Sequence, residues 1–283
     1  MKVGIIGTGL MGFPMAINIA KKYEVKAFNR TFDKMKGLEK YKINLCSTLD
    51  NLCKDTDVII SMLPGDEEVL ETISQVKKYI KPNSVFVDMS STKVSTANEC
   101  YKVLKEINSH FIDAPVSGGP EGAKSGLLAI MVGGDQEVFL RIKSILETMG
   151  KATLLGPNAS GQVAKLCNQI IVNITIGAVA EAILLCEKNG TDPNKFITAV
   201  SGGFADSKIL KIHGQRMIDK NFIAGGKNIT LLKDMTNILE SASKKNLNLP
   251  ISKLIRNMFK NLCDAGLEND DHSSLYKEIS NSK

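Results

Sequence analysis

Five short stretches of this 283-residue chain carry residue types at spacings that can do chemistry. The first is Lys165, near the start of GQVAKLCNQIIVNITIGAVAEAILLCEKNG, Gly161 to Gly190. At 3.6 residues per turn, Lys165, Asn168, Gln169 and Asn173 fall on one face of a helix, so an amine and three amides share a patch on an otherwise apolar rod. A desolvated lysine has its pKa lowered toward neutrality, which suits a general acid or base. The second is Gly7-Thr8-Gly9-Leu10-Met11-Gly12, placed between the β-branched run Lys2 to Ile6 and a helical pattern. Glycines in that setting allow a tight turn and let a pyrophosphate approach the amides of a helix N-terminus. The third is Asn29-Arg30-Thr31, at the end of the second strand, where an NAD site usually presents a carboxylate to the ribose. No carboxylate stands here. Arg30 can bind a 2′-phosphate through charge-assisted hydrogen bonds, which favours NADP, with NAD as the other option. The fourth is Asp113-Ala114-Pro115-Val116-Ser117-Gly118-Gly119, whose glycines leave backbone N–H groups open to a carboxylate. The fifth is the adjacent charged pair Lys233-Asp234.

Alternating elements must position these groups. Strand patterns at 2–6, 24–28, 57–61, 84–88 and 110–114 alternate with helical patterns at 66–78 and 95–107, and 127–132, 136–149 and 152–155 complete the set. Such alternation predicts a doubly wound α/β sheet. Met62-Leu63-Pro64 and Met89-Ser90-Ser91 follow two of the strands, on the edge where these sheets bind ligands, and are candidate cofactor walls. Gly156-Pro157-Asn158 reads as a linker into the long helix, with Ser160 or Asn158 as its cap. After Gly190 every segment reads helical, at 193–200, 207–219, 230–245, 251–264 and 272–279. The expected domains are 1–157 and 158–283.

Composition narrows the function. An apolar fraction of 43% with 23% charged residues is that of an ordinary globular protein. The stretch Leu166 to Cys186 is long enough to cross a bilayer at about 20 residues. Asn168, Gln169, Asn173 and Glu181 would be costly in hydrocarbon, so a core helix is expected and no membrane. The net charge of +6 is spread along the chain without arginine clusters, which suits a small anionic ligand and argues against nucleic acid. Six cysteines show no C-x-x-C pair and no metal-ligand spacing, so reduced thiols in a cytoplasm and no metal are expected. The opening MKVGIIG passes straight into a strand, without the apolar core of an export signal. His110, His213 and His272 are too scattered in the sequence to make a triad with any serine.

Taken in order, GTGLMGFPMA at 7–16, MLP at 62–64, DAPVSGG at 113–119, GQVAKLCNQ at 161–169 and LKD at 232–234 resemble the 3-hydroxyacid dehydrogenase family. That family includes 3-hydroxyisobutyrate dehydrogenase, 2-hydroxy-3-oxopropionate (tartronate semialdehyde) reductase and glyoxylate/succinic semialdehyde reductases. The resemblance covers nearly the whole chain. It implies an N-terminal Rossmann-like α/β domain and an all-α C-terminal domain for substrate and oligomerisation, joined by the long interdomain helix. It also implies NAD(P)-dependent interconversion of a small 3-hydroxy acid and its semialdehyde by a homodimer or homotetramer. Lys165 becomes the catalytic residue. Ser117, Gly118, Gly119, Asn168, Gln169 and Asp234 would hold the substrate. Gly7, Thr8, Gly9, Leu10, Met11, Gly12, Asn29, Arg30, Thr31, Leu63, Pro64, Thr96 and Lys233 would hold the cofactor. Ala159 stands where the family often has glycine, and Gln169 where it often has asparagine. The competing readings are glyoxylate/succinic semialdehyde reduction and the longer 6-phosphogluconate dehydrogenases. Imine reduction occurs in relatives that replace the lysine, and a non-catalytic NADP-binding oligomeric module would have lost it. Lys165 weighs against these last two.

Overall fold

The computed structural model of the protein describes residues 1–281, and packing divides the chain into two compact units, Met1–Lys165 and Leu166–Lys283. In the first unit, strands β1 (Lys2–Ile6), β2 (Glu24–Phe28), β3 (Asn44–Leu45), β4 (Val58–Ser61), β5 (Val85–Asp88), β6 (His110–Asp113), β7 (Val116–Ser117), β8 (Leu128–Gly133) and β9 (Gly150–Gly156) form one sheet. Its order is β3-β2-β1-β4-β5-β6-β8-β7, and the run from β3 to β6 is parallel throughout. Strand β8 pairs antiparallel to β6 and β7, and β9 lies parallel to β8. Helices α1 (Gly12–Ala20), α2 (Leu49–Cys53), α3 (Asp66–Val76), α4 (Val94–Lys105), α5 (Gly119–Ser125) and α6 (Gln136–Leu146) make the connections.

Successive strand residues face opposite sides of the sheet, and the sequence fills both sides with apolar groups. Val58 and Ile60, Val85 and Val87, and Ile112 pack on one face with Met15, Ile19 and Ile142. Ile59, Phe86 and Phe111 pack on the other with Leu52, Ile73 and Leu104. The chain runs outward in opposite directions from β1 and β4. The crevice at their C-terminal ends is therefore the switch point at which such sheets bind ligands.

Helix α7 (Ser160–Lys188) begins three residues after β9, and its first turns belong to the first unit. Neither Ser160 nor Asn158 caps it, contrary to the expectation from the sequence. The Asn158 amide donates to Asn98 Oδ1 at 2.9 Å. The cap comes from Asp113 at the end of β6, whose carboxylate accepts from Ala159 N at 2.7 Å and Gln162 N at 2.8 Å. A buried carboxylate on neighbouring sheet outcompetes the local hydroxyl because it neutralises the positive end of the helix as well as accepting its N–H groups. Gly161 is required by this contact: a Cβ there would lie 2.3 Å from the Met131 carbonyl oxygen and 2.8 Å from that of Asp113. Gly161→Ala should therefore cost about 1–3 kcal/mol through overpacking against backbone that cannot yield. The measurable outcome is a Tm lower by roughly 3–10 °C.

In the second unit α7 is followed by α8 (Pro193–Val200), a π-helical turn Leu210–Gly214, α9 (Gln215–Ile218), α10 (Asn228–Ser243), α11 (Pro250–Asp264) and α12 (Leu275–Asn281). With 29 residues, α7 has the length and apolarity of a membrane span. Here Ile176, Val179, Ala180 and Ile183 form the centre of the unit's core, packed with Met217, Met235, Ile255 and Phe259.

Candidate active site

The nucleotide loop is built as its glycines predict. A Cβ on Gly12 would meet the Gly7 carbonyl oxygen at 1.8 Å, so only glycine lets α1 start this close to β1. Gly9 faces open space, α1 has no acidic residue in its first turn, and no side chain caps it. Its N-terminal amides are thus presented to an anion. A pocket of about 270 Å³ opens beside the loop, lined by Gly7, Asn29, Arg30, Thr31, Leu63 and Pro64 together with Lys34. Asn29 Oδ1 accepts from Thr8 N at 3.0 Å, and the Thr8 hydroxyl donates to the Lys34 carbonyl at 3.1 Å, so the loop and the rim are tied together. Neither Arg30 nor Lys34 has a side-chain hydrogen bond or ion pair among the described residues. Lys34 was not legible as a site residue. A 3₁₀ turn over Phe32–Met35 folds it back toward Arg30, a geometry with no periodic sequence signal. Glu68 and Glu71 of α3 also line the pocket.

Two expected residues are buried. Thr96 is buried, and its hydroxyl donates to Asp66 Oδ1 at 2.6 Å. Ser90, expected in a cofactor wall, is fully buried behind it, where its hydroxyl accepts from Leu63 N at 2.9 Å. Ser117 ends β7 half-buried, and Gly118 and Gly119 follow it exposed, with φ of 135° and 63°.

Behind this edge of the sheet two carboxylates stand side by side, Asp88 of β5 in register with Asp113 of β6. Burial pushes Asp88 up to about 6, although Ser90 and the Ser61 hydroxyl, at 2.8 Å, pull the other way. Burial likewise pushes Asp113 up to about 6, against the pull of the Gln162 and Ala159 amides. The folded state therefore holds these protons more tightly than the unfolded chain. Their contribution to stability is complete below about pH 4 and is lost as pH rises through about 6. Asp88→Asn, which removes the charge while retaining an oxygen for Ser61, should raise stability at pH 7 by on the order of 2 kcal/mol. It should also flatten the pH dependence of urea unfolding between pH 4 and 6. An unchanged slope would exclude a buried charge at this position.

In the second unit the expected polar residues form one chain. Asn168 Nδ2 donates to Gln169 Oε1 at 2.9 Å, and Gln169 Nε2 donates to Asp234 Oδ2 at 2.6 Å. Lys233 Nζ stands 3.8 Å from Asp234 Oδ1. Asn173 is fully buried and donates to the Gln169 carbonyl at 2.6 Å, a structural position on the same helix face. The histidines, scattered in sequence, come together in part: the His213 and His272 rings are 5.8 Å apart beside buried Asp271. Burial alone would raise Asp271, but the His213 ring 3.5 Å away and hydrogen bonds from Ser273 and Gly225 hold it well below the usual carboxylate range. Burial lowers His272 to about 4.

Known proteins match this chain along nearly its whole length. Residues 2–177 match the family described as the NAD binding domain of 6-phosphogluconate dehydrogenase. Residues 159–279 match the family described as NAD-binding of NADP-dependent 3-hydroxyisobutyrate dehydrogenase. The 2-hydroxy-3-oxopropionate reductase of Escherichia coli is 38% identical over 286 residues, covering 99% of this chain and 97% of that protein. The 3-hydroxyisobutyrate dehydrogenase of Mycobacterium tuberculosis, solved with L-serine, superposes with a TM-score of 0.90 at 25% identity, covering 98% of each chain. Psf3 in complex with NADP+ shares the fold with a TM-score of 0.87 at 21% identity, covering 98% of this chain and 99% of that one. A dinucleotide cradle with its phosphate-binding amides exposed, a lysine on the helix that follows the sheet and relatives aligned end to end lead to one conclusion: the chain belongs to the 3-hydroxyacid dehydrogenase family of NAD(P)-dependent oxidoreductases.

Proposed function

We propose that this enzyme prefers NADP and interconverts a small 3-hydroxy acid and its semialdehyde, with tartronate semialdehyde as the substrate to test first. The observation that carries the reading is Lys165, kept in the first turns of α7 and half-buried where the helix is anchored to the sheet. The identity with the 2-hydroxy-3-oxopropionate reductase supports the substrate class. Arg30, joined by Lys34 on the pocket rim, supports NADP.

The cradle formed by residues 7–12 holds the pyrophosphate, and Asn29, Arg30, Thr31, Leu63 and Pro64 hold the adenosine end. Thr96 and Lys233 are assigned to the cofactor by the family resemblance. The nicotinamide, when bound, supplies or accepts the hydride. Lys165 Nζ gives a proton to the carbonyl oxygen during reduction and removes it from the hydroxyl during oxidation. Ser117 with the amides of Gly118 and Gly119 orients the substrate carboxylate. Asn168 and Gln169 hold the reacting oxygen, and Asp234 fixes the rotation of the Gln169 amide through its bond to Nε2.

Exposed Ile171 and Leu185 on α7, with Phe204 beyond it, support a homo-oligomer. All six cysteines are free thiols, which supports a reducing compartment such as the cytoplasm. Initial rates with NADPH and NADH against tartronate, methylmalonate and succinic semialdehydes and glyoxylate test the reading. Preference for NADPH with tartronate semialdehyde ranked first is the expected result. A first rank for glyoxylate or succinic semialdehyde moves the enzyme to that branch, and no turnover with any of the four would refute the substrate class.

A further inference from the structure

Gln162 is fully buried one helical turn before Lys165. Its Nε2 donates to the Ser90 carbonyl at 2.9 Å, and its Oε1 accepts from Thr92 N at 3.2 Å. Its own backbone N–H donates to Asp113 Oδ2 at 2.8 Å. A carbonyl only accepts and an N–H only donates, so the two atoms it meets demand one donor and one acceptor in this orientation, which at this length an amide supplies without having to hold a proton. The loop it grips is itself joined to the cofactor pocket. Ser90 Oγ accepts from the backbone N–H of Leu63, a residue of the pocket wall, and Ser90 N donates to Asp88 Oδ1 at 3.2 Å. An unbroken series of bonds therefore runs from the pocket wall through Ser90 and Gln162 to the helix turn that carries Lys165. Residues three apart on a helix are neighbours on its surface, so a shift of Gln162 is a shift of Lys165.

We propose that Gln162 is a positioning residue: it clamps the 90–92 loop to the first turn of α7 and thereby fixes where the Lys165 amine stands relative to the cofactor wall. The proposal rests on the reading of Lys165 as the acid and base. Its value to the reaction is geometric, since a misplacement of about 1 Å at the reacting centre can cost about 100-fold in rate. The side chain is fully buried and lines no part of the pocket beside the glycine loop, so binding of NADPH should not depend on it.

Two variants separate this role from simple support of the fold. Gln162→Met fills the same space without either hydrogen bond. With tartronate semialdehyde it should lower kcat by about 10- to 100-fold, while the NADPH Kd, read from nucleotide fluorescence, stays within about twofold. In the absence of substrate, the Thr92 amide should exchange its hydrogen at least about tenfold faster, since its acceptor is gone. Gln162→Glu keeps the shape, and when protonated it restores both bonds, the acid O–H donating to Ser90 and the other oxygen accepting from Thr92. The titratable groups nearest in the hydrogen-bond network are Asp113, which accepts from the backbone N–H of residue 162, and Asp88, which accepts from Ser90 N, with Lys93 next in sequence to the gripped loop and Lys165 three residues on in the helix. Burial beside two acids should raise its pKa, so the rate of the Glu variant relative to the unchanged protein should climb as pH falls from 8 to 5.5. A kcat unchanged in the Met variant, a Thr92 amide that exchanges no faster, loss of NADPH binding, or a ratio for the Glu variant that is flat with pH would each overturn the clamp. If the Met variant does not fold, the Glu variant's pH ratio decides alone. Inactivity of the unchanged protein would count against the substrate assignment instead, and the exchange of Thr92 would still decide the clamp.

Discussion

Lys165→Ala should lower kcat with a semialdehyde by about 10²- to 10⁴-fold, the range over which a positioned proton donor ordinarily contributes. NADPH affinity should hold within about threefold, because Lys165 does not line the pocket proposed for the nucleotide. Lys165→Arg should be nearly as slow: a guanidinium does not deprotonate in this pH range, so it keeps the charge without being able to shuttle a proton. The fold should survive either change, since Asp113, Gln162 and the Gly161 backbone anchor the start of the helix. Steady-state rates together with nucleotide titration check this. A variant that kept its turnover would remove Lys165 from the mechanism, and a loss confined to NADPH affinity would make it a cofactor ligand.

The second large effect is expected at the pocket rim. Replacing Arg30 with aspartate, with Lys34→Ala, should lower kcat/KM for NADPH by about 100-fold or more. A charge-assisted hydrogen bond to a phosphate contributes about 1.5–3 kcal/mol, and the new carboxylate adds repulsion to that loss. The same carboxylate can accept from the two ribose hydroxyls of NADH, so kcat/KM for NADH should be unchanged or higher and the preference should invert. Both side chains lack partners among the described residues, so removing them leaves no orphaned group in the fold. The ratio of the two specificity constants is the quantity to measure. If it stays where it is, coenzyme choice is made elsewhere, with Asn29 and Thr31 as the next residues to replace.

What was legible in the sequence was local. The strand, glycine loop and helix at 2–20 follow from adjacent residues, as does Arg30 after the end of β2, and the long apolar run of 161–190 with its polar patch yields α7 within two residues at either end. What was hidden depends on contacts between residues far apart in the chain. Asp113 reaches 46 residues to Ala159 to cap α7. Gln169 reaches 65 residues to Asp234. Thr96 is engaged by Asp66 across 30 residues. Strands β3 and β7, two residues each, have no periodicity to detect and exist only because a neighbouring strand is there to pair with. Ala159, noted as a departure from the usual glycine, adopts φ of 71° and is buried, so the chain tolerates a left-handed alanine whose methyl joins the core. The sequence marks the substitution but not the conformation it must accept.

The boundary between the two compact units falls directly after Lys165, within one continuous helix. The proposed proton donor thus lies in the unit that carries the glycine loop, while Asn168, Gln169 and Asp234 lie in the helical portion. Recombination between relatives at this point would exchange the groups proposed to hold the reacting oxygen and leave the donor and its anchors untouched. A lineage cut this way has a fixed engine and an interchangeable reader, and new substrates can be acquired without reassembling the chemistry.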